Sequence, residues 1–198
     1  FTTGTDERIE EFMVEPSAKA DRNVAVGAIL TNRKFMLEIV QECINKNQLN
    51  YKRNVFQDNV RKYRFFGYKF EGYYSLIGSV NEYFNANMDL LKKENRRELF
   101  NSKCPIFTKV RDDMPTRYGL ESSVKNSLIA QGCIIEGEVE NSIIAKGVRI
   151  GKGTKVSNCI IMQDAKIGAG ATLNYVISDK DVVIKDGRAL CGYDSFPI

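Results

Sequence analysis

Histidine is absent from all 198 residues. Without it, Ser-His and Cys-His nucleophile pairs and histidine general bases are impossible, and whole enzyme classes drop out. The five cysteines, Cys43, Cys104, Cys133, Cys159 and Cys191, are widely spaced and form no CxxC pair. Neither a disulfide framework nor a zinc ribbon is indicated, and a reducing cytoplasm is expected. No apolar stretch approaches the roughly 18 residues that a membrane span needs. The opening FTTGTDERIEE is too polar for a signal peptide. The first residue is not Met, and the expectation is a piece of a longer protein. No GxGxxG or Walker-type loop occurs anywhere. Excess charge of one sign is lacking too: 29 basic residues stand against 25 acidic ones, a formal +4, which gives no footprint for nucleic acid. The densest cluster, KKENRR at 92–97, reads as a solvated helix face.

What is present falls into two rhythms. Up to about residue 93, apolar positions follow helix and strand periods. NVAVGAIL (23–30) reads as a buried strand. TNRKFMLEIVQECINKNQ (31–48) places Met36, Ile39, Val40, Cys43 and Ile44 on one helical stripe behind an N-cap at Thr31 or Asn32. A second helix is expected around Phe56, Val60 and Tyr63, a strand at RFFGYKF (64–70), and a third helix capped by Ser79, with Val80, Phe84, Met88 and Leu91 inward. Strand, helix, helix, strand, helix points to part of an α/β layer. Residues 94–119, with Pro105 and Pro115, read as an extended connector.

From 120 onward the chain repeats itself. Blocks begin at Val124, Val139, Val156 and Leu173, and inside the two middle blocks the aliphatics Val139, Ile144, Ile150 and Val156, Ile161, Ile167 fall at steps of five, six and six. A step of six fits neither a helix face nor an alternating strand. It fits a hexapeptide β-solenoid, whose short strands each send one aliphatic to the axis. Gly151, Gly153, Gly168 and Gly170 are then expected at or near corners, and Asn126, Asn141 and Asn158 as a stacked amide ladder. The GKGTK at 151–155 belongs to these corners and not to a phosphate loop. Acyltransferases built on this coil typically use a histidine base, which this sequence does not have.

The stretch GYYSLIGSVNEYFNANMDLL (72–91) resembles the segment that closes the catalytic domain of the glucose-1-phosphate adenylyltransferase family. The usual form there is GYWRDVGT followed by YW-ANMDLL, and Tyr83 together with residues 86–91 match it. FMVEP (12–16) is similar to that family's FVEKP, AVGAILTNRKFMLEIV (25–40) to its SMGIYVF strand and following helix, and CPIFT (104–108) to its WPIRT connector. The repeats resemble its solenoid. The resemblance spans almost the whole chain and implies a Rossmann-like nucleotidyltransferase remnant at 1–93, a connector at 94–119 and a left-handed parallel β-helix at 120–198.

The departures are as informative as the matches. Leu76 stands where the family has the aspartate that serves sugar phosphate and metal, and hard cations need oxygen ligands. An ungapped match puts Val14 and Glu15 at the Glu and Lys of FVEKP; slipped by one, Glu15 keeps the Glu role and the lysine is deleted. Ala25 replaces the serine of SMG. The resemblance therefore implies no catalytic residue and no metal in this chain. It points to the family's non-catalytic, D-type branch, working with a catalytic subunit that makes ADP-glucose from ATP and glucose-1-phosphate in glycogen synthesis. Magnesium is implied for the full complex, a hetero- or homo-oligomer, most simply a tetramer, for the assembly, and a phosphorylated metabolite as effector. Lys103, Lys109, Arg111 and Arg117 in the connector are the candidate anion site. Two alternatives stay open: an active sugar nucleotidyltransferase with an atypical pocket, and a stand-alone solenoid interaction module.

Overall fold

The computed structural model describes residues 1–14 and 23–198, which divide into two compact units, Phe1–Glu71 and Gly72–Ile198. This division falls ahead of the composition break near residue 93. None of the helices among the described residues is long and apolar enough to cross a membrane.

The first unit is small and aromatic. Strands Thr2–Thr3 and Ile9–Glu11 pair antiparallel, and a single bridge joins Arg8 to Phe66. The strand expected over 64–70 is thus reduced to a bridge, flanked by the bonds from the Ile9 amide to the Phe65 carbonyl and from the Gly67 amide to the Glu7 carbonyl. Helix α1 (Arg33–Asn45) starts at Asn32, whose side chain accepts from the Lys34 amide at 2.8 Å. Of its predicted stripe only Ile39 is buried, while Val40 and Ile44 face solvent. The second predicted helix is a short π-helical turn, Lys52–Gln57, that buries Val55. Phe56 stacks with Phe12 and leans on Phe65, with ring centroids 5.2 and 4.9 Å away.

The strand expected at 23–30 does not form. Residues 23–30 are exposed, and from 24 to 30 no backbone group bonds to a described residue. A buried strand needs neighbours on both edges to satisfy its amides and carbonyls. The Phe1 ammonium donates to the Asn23 carbonyl at 2.9 Å, but no described strand pairs with residues 24–30, so among the described residues no parallel α/β layer forms around them.

In the second unit the repeat becomes a parallel β-solenoid of about four coils. Three sheets run along it. The first holds Ser123–Lys125, Glu138–Glu140, Lys155–Ser157, Thr172–Asn174 and Ala189–Cys191; the second Leu128–Ile129, Ile143–Ile144, Ile160–Ile161 and Ile177–Ser178; the third Arg117–Tyr118, Ile134–Ile135, Arg149–Ile150, Lys166–Ile167 and Val183–Ile184. Register stacks like residue on like, so that Val139 pairs with Val156 and Val156 with Leu173, Ile144 with Ile161, and Ile150 with Ile167. All seven are buried in one apolar core. Each inward aliphatic contributes roughly 1.5–3 kcal/mol of transfer free energy, enough to fix the five, six, six spacing on its own.

The corners form three columns of left-handed backbone. Asn126, Asn141, Asn158 and Tyr175 make the first, with φ from 41° to 53°; Gly132, Gly147, Asp164 and Asp181 the second; Gly153, Gly170 and Gly187 the third. Asparagine, aspartate and glycine are the residues that tolerate this region. Of the expected amide ladder one rung forms, with Asn126 Nδ2 donating to Asn141 Oδ1 at 2.7 Å; Asn158 Nδ2 donates instead to Oδ1 of Asn174, outside the corner column, at 3.0 Å. The four corner glycines divide their work. Gly153 and Gly170 supply positive φ in open space, whereas Gly151 is small because a Cβ there would stand 2.7 Å from the Ala169 amide nitrogen. Buried hydroxyls close the corners: Ser142 Oγ donates to the Glu140 carbonyl and accepts from the Cys159 amide, and Thr154 Oγ1 donates to the Gly168 carbonyl.

Helix α2 (Val80–Met88) begins at Ser79, which accepts from the Glu82 amide. Phe84 is its buried residue, and Val80, expected inward, is exposed. Helix α3 (Lys93–Leu99) follows after one 3-10 turn; Lys93, Glu94 and Arg97 of the charge run are exposed, whereas Arg96 is half-buried and donates to the Leu90 and Leu91 carbonyls at 2.6 Å.

Candidate functional site

The positions that the family resemblance assigns to a sugar-phosphate cradle fall in both units. Val14 is half-buried and its amide donates to Gln57 Oε1 at 2.9 Å. Glu15 lies outside the described residues. Ala25 is exposed on the unpaired stretch, and Leu76 is 60% exposed in an irregular segment ahead of α2. Val14 and Ala25 belong to the first unit and Leu76 to the second.

The connector cations have different fates. Lys103 and Lys109 are exposed. Arg117, on the edge strand of the third sheet, comes within 3.8 Å of Glu136. Arg111 is fully engaged: its Nη1 and Nη2 donate to the two Asp164 carboxylate oxygens at 2.7 and 3.0 Å, and its Nε to Asp113 Oδ1 at 3.0 Å. The fork-to-carboxylate geometry is the strong form of this contact. It holds the Asp164 carboxyl below the usual carboxylate range, chiefly through the Arg111 hydrogen bond, and raises the Arg111 guanidinium.

Asp164 is the residue that the sequence reading passed over. Its signal is positional, since laying the blocks over each other sets Asp164 where the preceding coils carry Gly132 and Gly147. A Cβ on Gly147 would collide with the Asp164 carboxylate and come within 3.1 Å of Arg111 Nη2, so the glycine leaves room for the pair.

The two thiols of the solenoid core are not prepared as nucleophiles. Cys133 and Cys159 are buried, and burial raises both thiols, Cys159 to about 12. A thiol so protonated is inert.

Comparison with known proteins adds the family. The family model for the GlmU-like, C-terminal hexapeptide matches residues 111–195, the solenoid from Arg111 onward. The glycogen biosynthesis protein GlgD of Bacillus subtilis (strain 168) is 50% identical over 131 residues, covering 66% of this chain and 38% of that protein. The chain is similar to the C-terminal portion of proteins of the glucose-1-phosphate adenylyltransferase family. Family members named glucose-1-phosphate adenylyltransferase align over more of the chain at lower identity. The one from Fusobacterium nucleatum is 33% identical over 162 residues, 79% of this chain and 41% of its own length. The one from Clostridium acetobutylicum is 31% identical over 161 residues, 79% of this chain and 42% of its own length. The chain spans about two fifths of the length of these relatives. Within the family its likeness is to the C-terminal portion of the GlgD type.

Proposed function

We propose that this chain is part of a non-catalytic, GlgD-type subunit that acts in glycogen biosynthesis. It works in the cytoplasm beside a catalytic subunit that makes ADP-glucose and pyrophosphate from ATP and glucose-1-phosphate. The observation that carries the reading is the identity of 50% to a glycogen biosynthesis protein GlgD, against 33% and 31% to two glucose-1-phosphate adenylyltransferases.

The chemistry of the cradle positions agrees. Val14, Ala25 and Leu76 offer no side-chain oxygen, so these positions do not fit a magnesium ion, which needs oxygen ligands. Magnesium then belongs to the catalytic partner. The solenoid, read as left-handed from its hexapeptide step, supplies a rigid prism for a tetrameric assembly. A phosphorylated effector would meet Lys103 and Lys109 rather than Arg111, whose charge is already taken by Asp113 and Asp164.

The test is turnover by the full-length protein alone. With ATP, glucose-1-phosphate and magnesium it should form no ADP-glucose above background. Turnover at the rate of a catalytic family member would overturn the reading.

A further inference from the structure

Residues 111–116 lie along one corner column of the solenoid, crossing it from coil to coil. At the first coil, the Thr116 hydroxyl donates to the Ala130 carbonyl and the Gly132 amide donates to the Met114 carbonyl, both at 2.7 Å. At the second coil, Lys146 Nζ donates to the Arg111 carbonyl at 3.1 Å. At the third, the Arg111 guanidinium grips Asp164. As residue number falls from 116 to 111, the chain climbs the Gly132, Gly147, Asp164 column. Upstream, residues 101–110 are all exposed and make no such contacts with the coils.

We propose that residues 111–116 are an electrostatically latched strap, with the Arg111–Asp164 pair as its latch. The near end of the strap is fixed to the first coil by the Thr116 hydroxyl and, just beyond it, by the Arg117 amide, which donates to the Cys133 carbonyl at 2.9 Å; the far end is held by side-chain charge, and the Gly132–Met114 bond lies between the two. Arg111 also satisfies Asp113 Oδ1, while Asp113 Oδ2 is buried without a partner among the described residues. Lifting Arg111 away would leave that carboxylate with no cation, a cost that keeps the latch shut. Both latch side chains remain partly in water, at 45% and 40% exposure, so screening by salt weakens them. The strap therefore sets how much of the connector moves freely: up to residue 110 when latched, and nearly to the first coil when released.

Amide exchange by NMR on the 1–198 chain tests this. The probe is the Gly132 amide, whose acceptor is the strap's Met114 carbonyl. Asp164→Asn removes the charge but keeps a residue that tolerates left-handed backbone, and should speed exchange at Gly132 about fivefold. In the wild type, 1 M NaCl should give a similar gain, and in Asp164→Asn it should give none. Gly151 and Ile160, bonded between coils, serve as the folding control. Should they also accelerate in the variant, the salt arm on the wild type alone decides. Exchange at Gly132 that ignores salt, or that is unchanged in a well-folded Asp164→Asn, overturns the latch.

Discussion

Phe84 of α2 lies against Tyr175 at the first corner of the fourth coil, with ring centroids 5.9 Å apart and planes tilted by 47°. Tyr175 takes left-handed backbone, at φ 53°, in the place where three earlier coils have asparagine. The break in the asparagine column thus coincides with the docking of a helix. Because Phe84 is 2% exposed, Phe84→Ala should cost about 3–5 kcal/mol. Tyr175→Asn, which restores the residue best suited to the corner, should cost less. Thermal denaturation reads both, and an unchanged midpoint for Phe84→Ala would contradict the packing described.

The two kinds of corner glycine should separate cleanly. Gly153→Ala meets nothing within 4 Å and has only positive φ against it, a cost of about 1–2 kcal/mol. Gly151→Ala would press its methyl on the backbone of Gly168 and Ala169 in the next coil, which has no rotamer to yield. Chemical denaturation should place Gly151→Ala well below Gly153→Ala in stability. The reverse order would mean that the coil register is wrong.

Thiol labelling reports the core directly. Iodoacetamide at pH 8 should modify the exposed Cys104 and Cys191 first, and Cys133 and Cys159 only after denaturation. Peptide mass spectrometry counts the sites. Early labelling of Cys159 would be incompatible with a thiol buried on the axis.

Acid should abolish the contribution of Asp164. Its folded pKa is lowered by Arg111, with Lys166 adding in the same direction, so the stabilisation is complete above the unfolded value of about 3.9 and is lost as pH falls through the lower folded value. The difference in melting temperature between wild type and Asp164→Asn should hold steady above pH 5 and narrow below about pH 4. A difference that instead grows in acid would assign the wrong sign to the pair.

The solenoid was legible because its rule is local. Each inward residue sits at a fixed step from the last, and Val139, Ile144 and Ile150 are buried as that step requires. The same holds for Ser79 as a cap, whose hydroxyl needs only an amide three residues on. The apolar pattern of the first half obeyed no such rule. Val40 and Ile44 continue a helical stripe in sequence, yet whether a stripe is covered depends on neighbours that periodicity does not contain. The run at 23–30 has strand composition without strand partners among the described residues. Among the connector cations, Arg111 has Asp113 two residues away, but its fork to Asp164 spans 53 residues and has no local signal. Only the alignment of coils, with aspartate at a glycine corner, marks the spot.

The proposed function rests on partnership with a catalytic subunit. Titrating the full-length protein into a glucose-1-phosphate adenylyltransferase from the same source, while following ADP-glucose formation and sedimentation together, tests it most directly. A saturable change in kcat or KM at a fixed subunit ratio, accompanied by a mixed oligomer, is the expected result. Unaltered kinetics with two species sedimenting separately would contradict it.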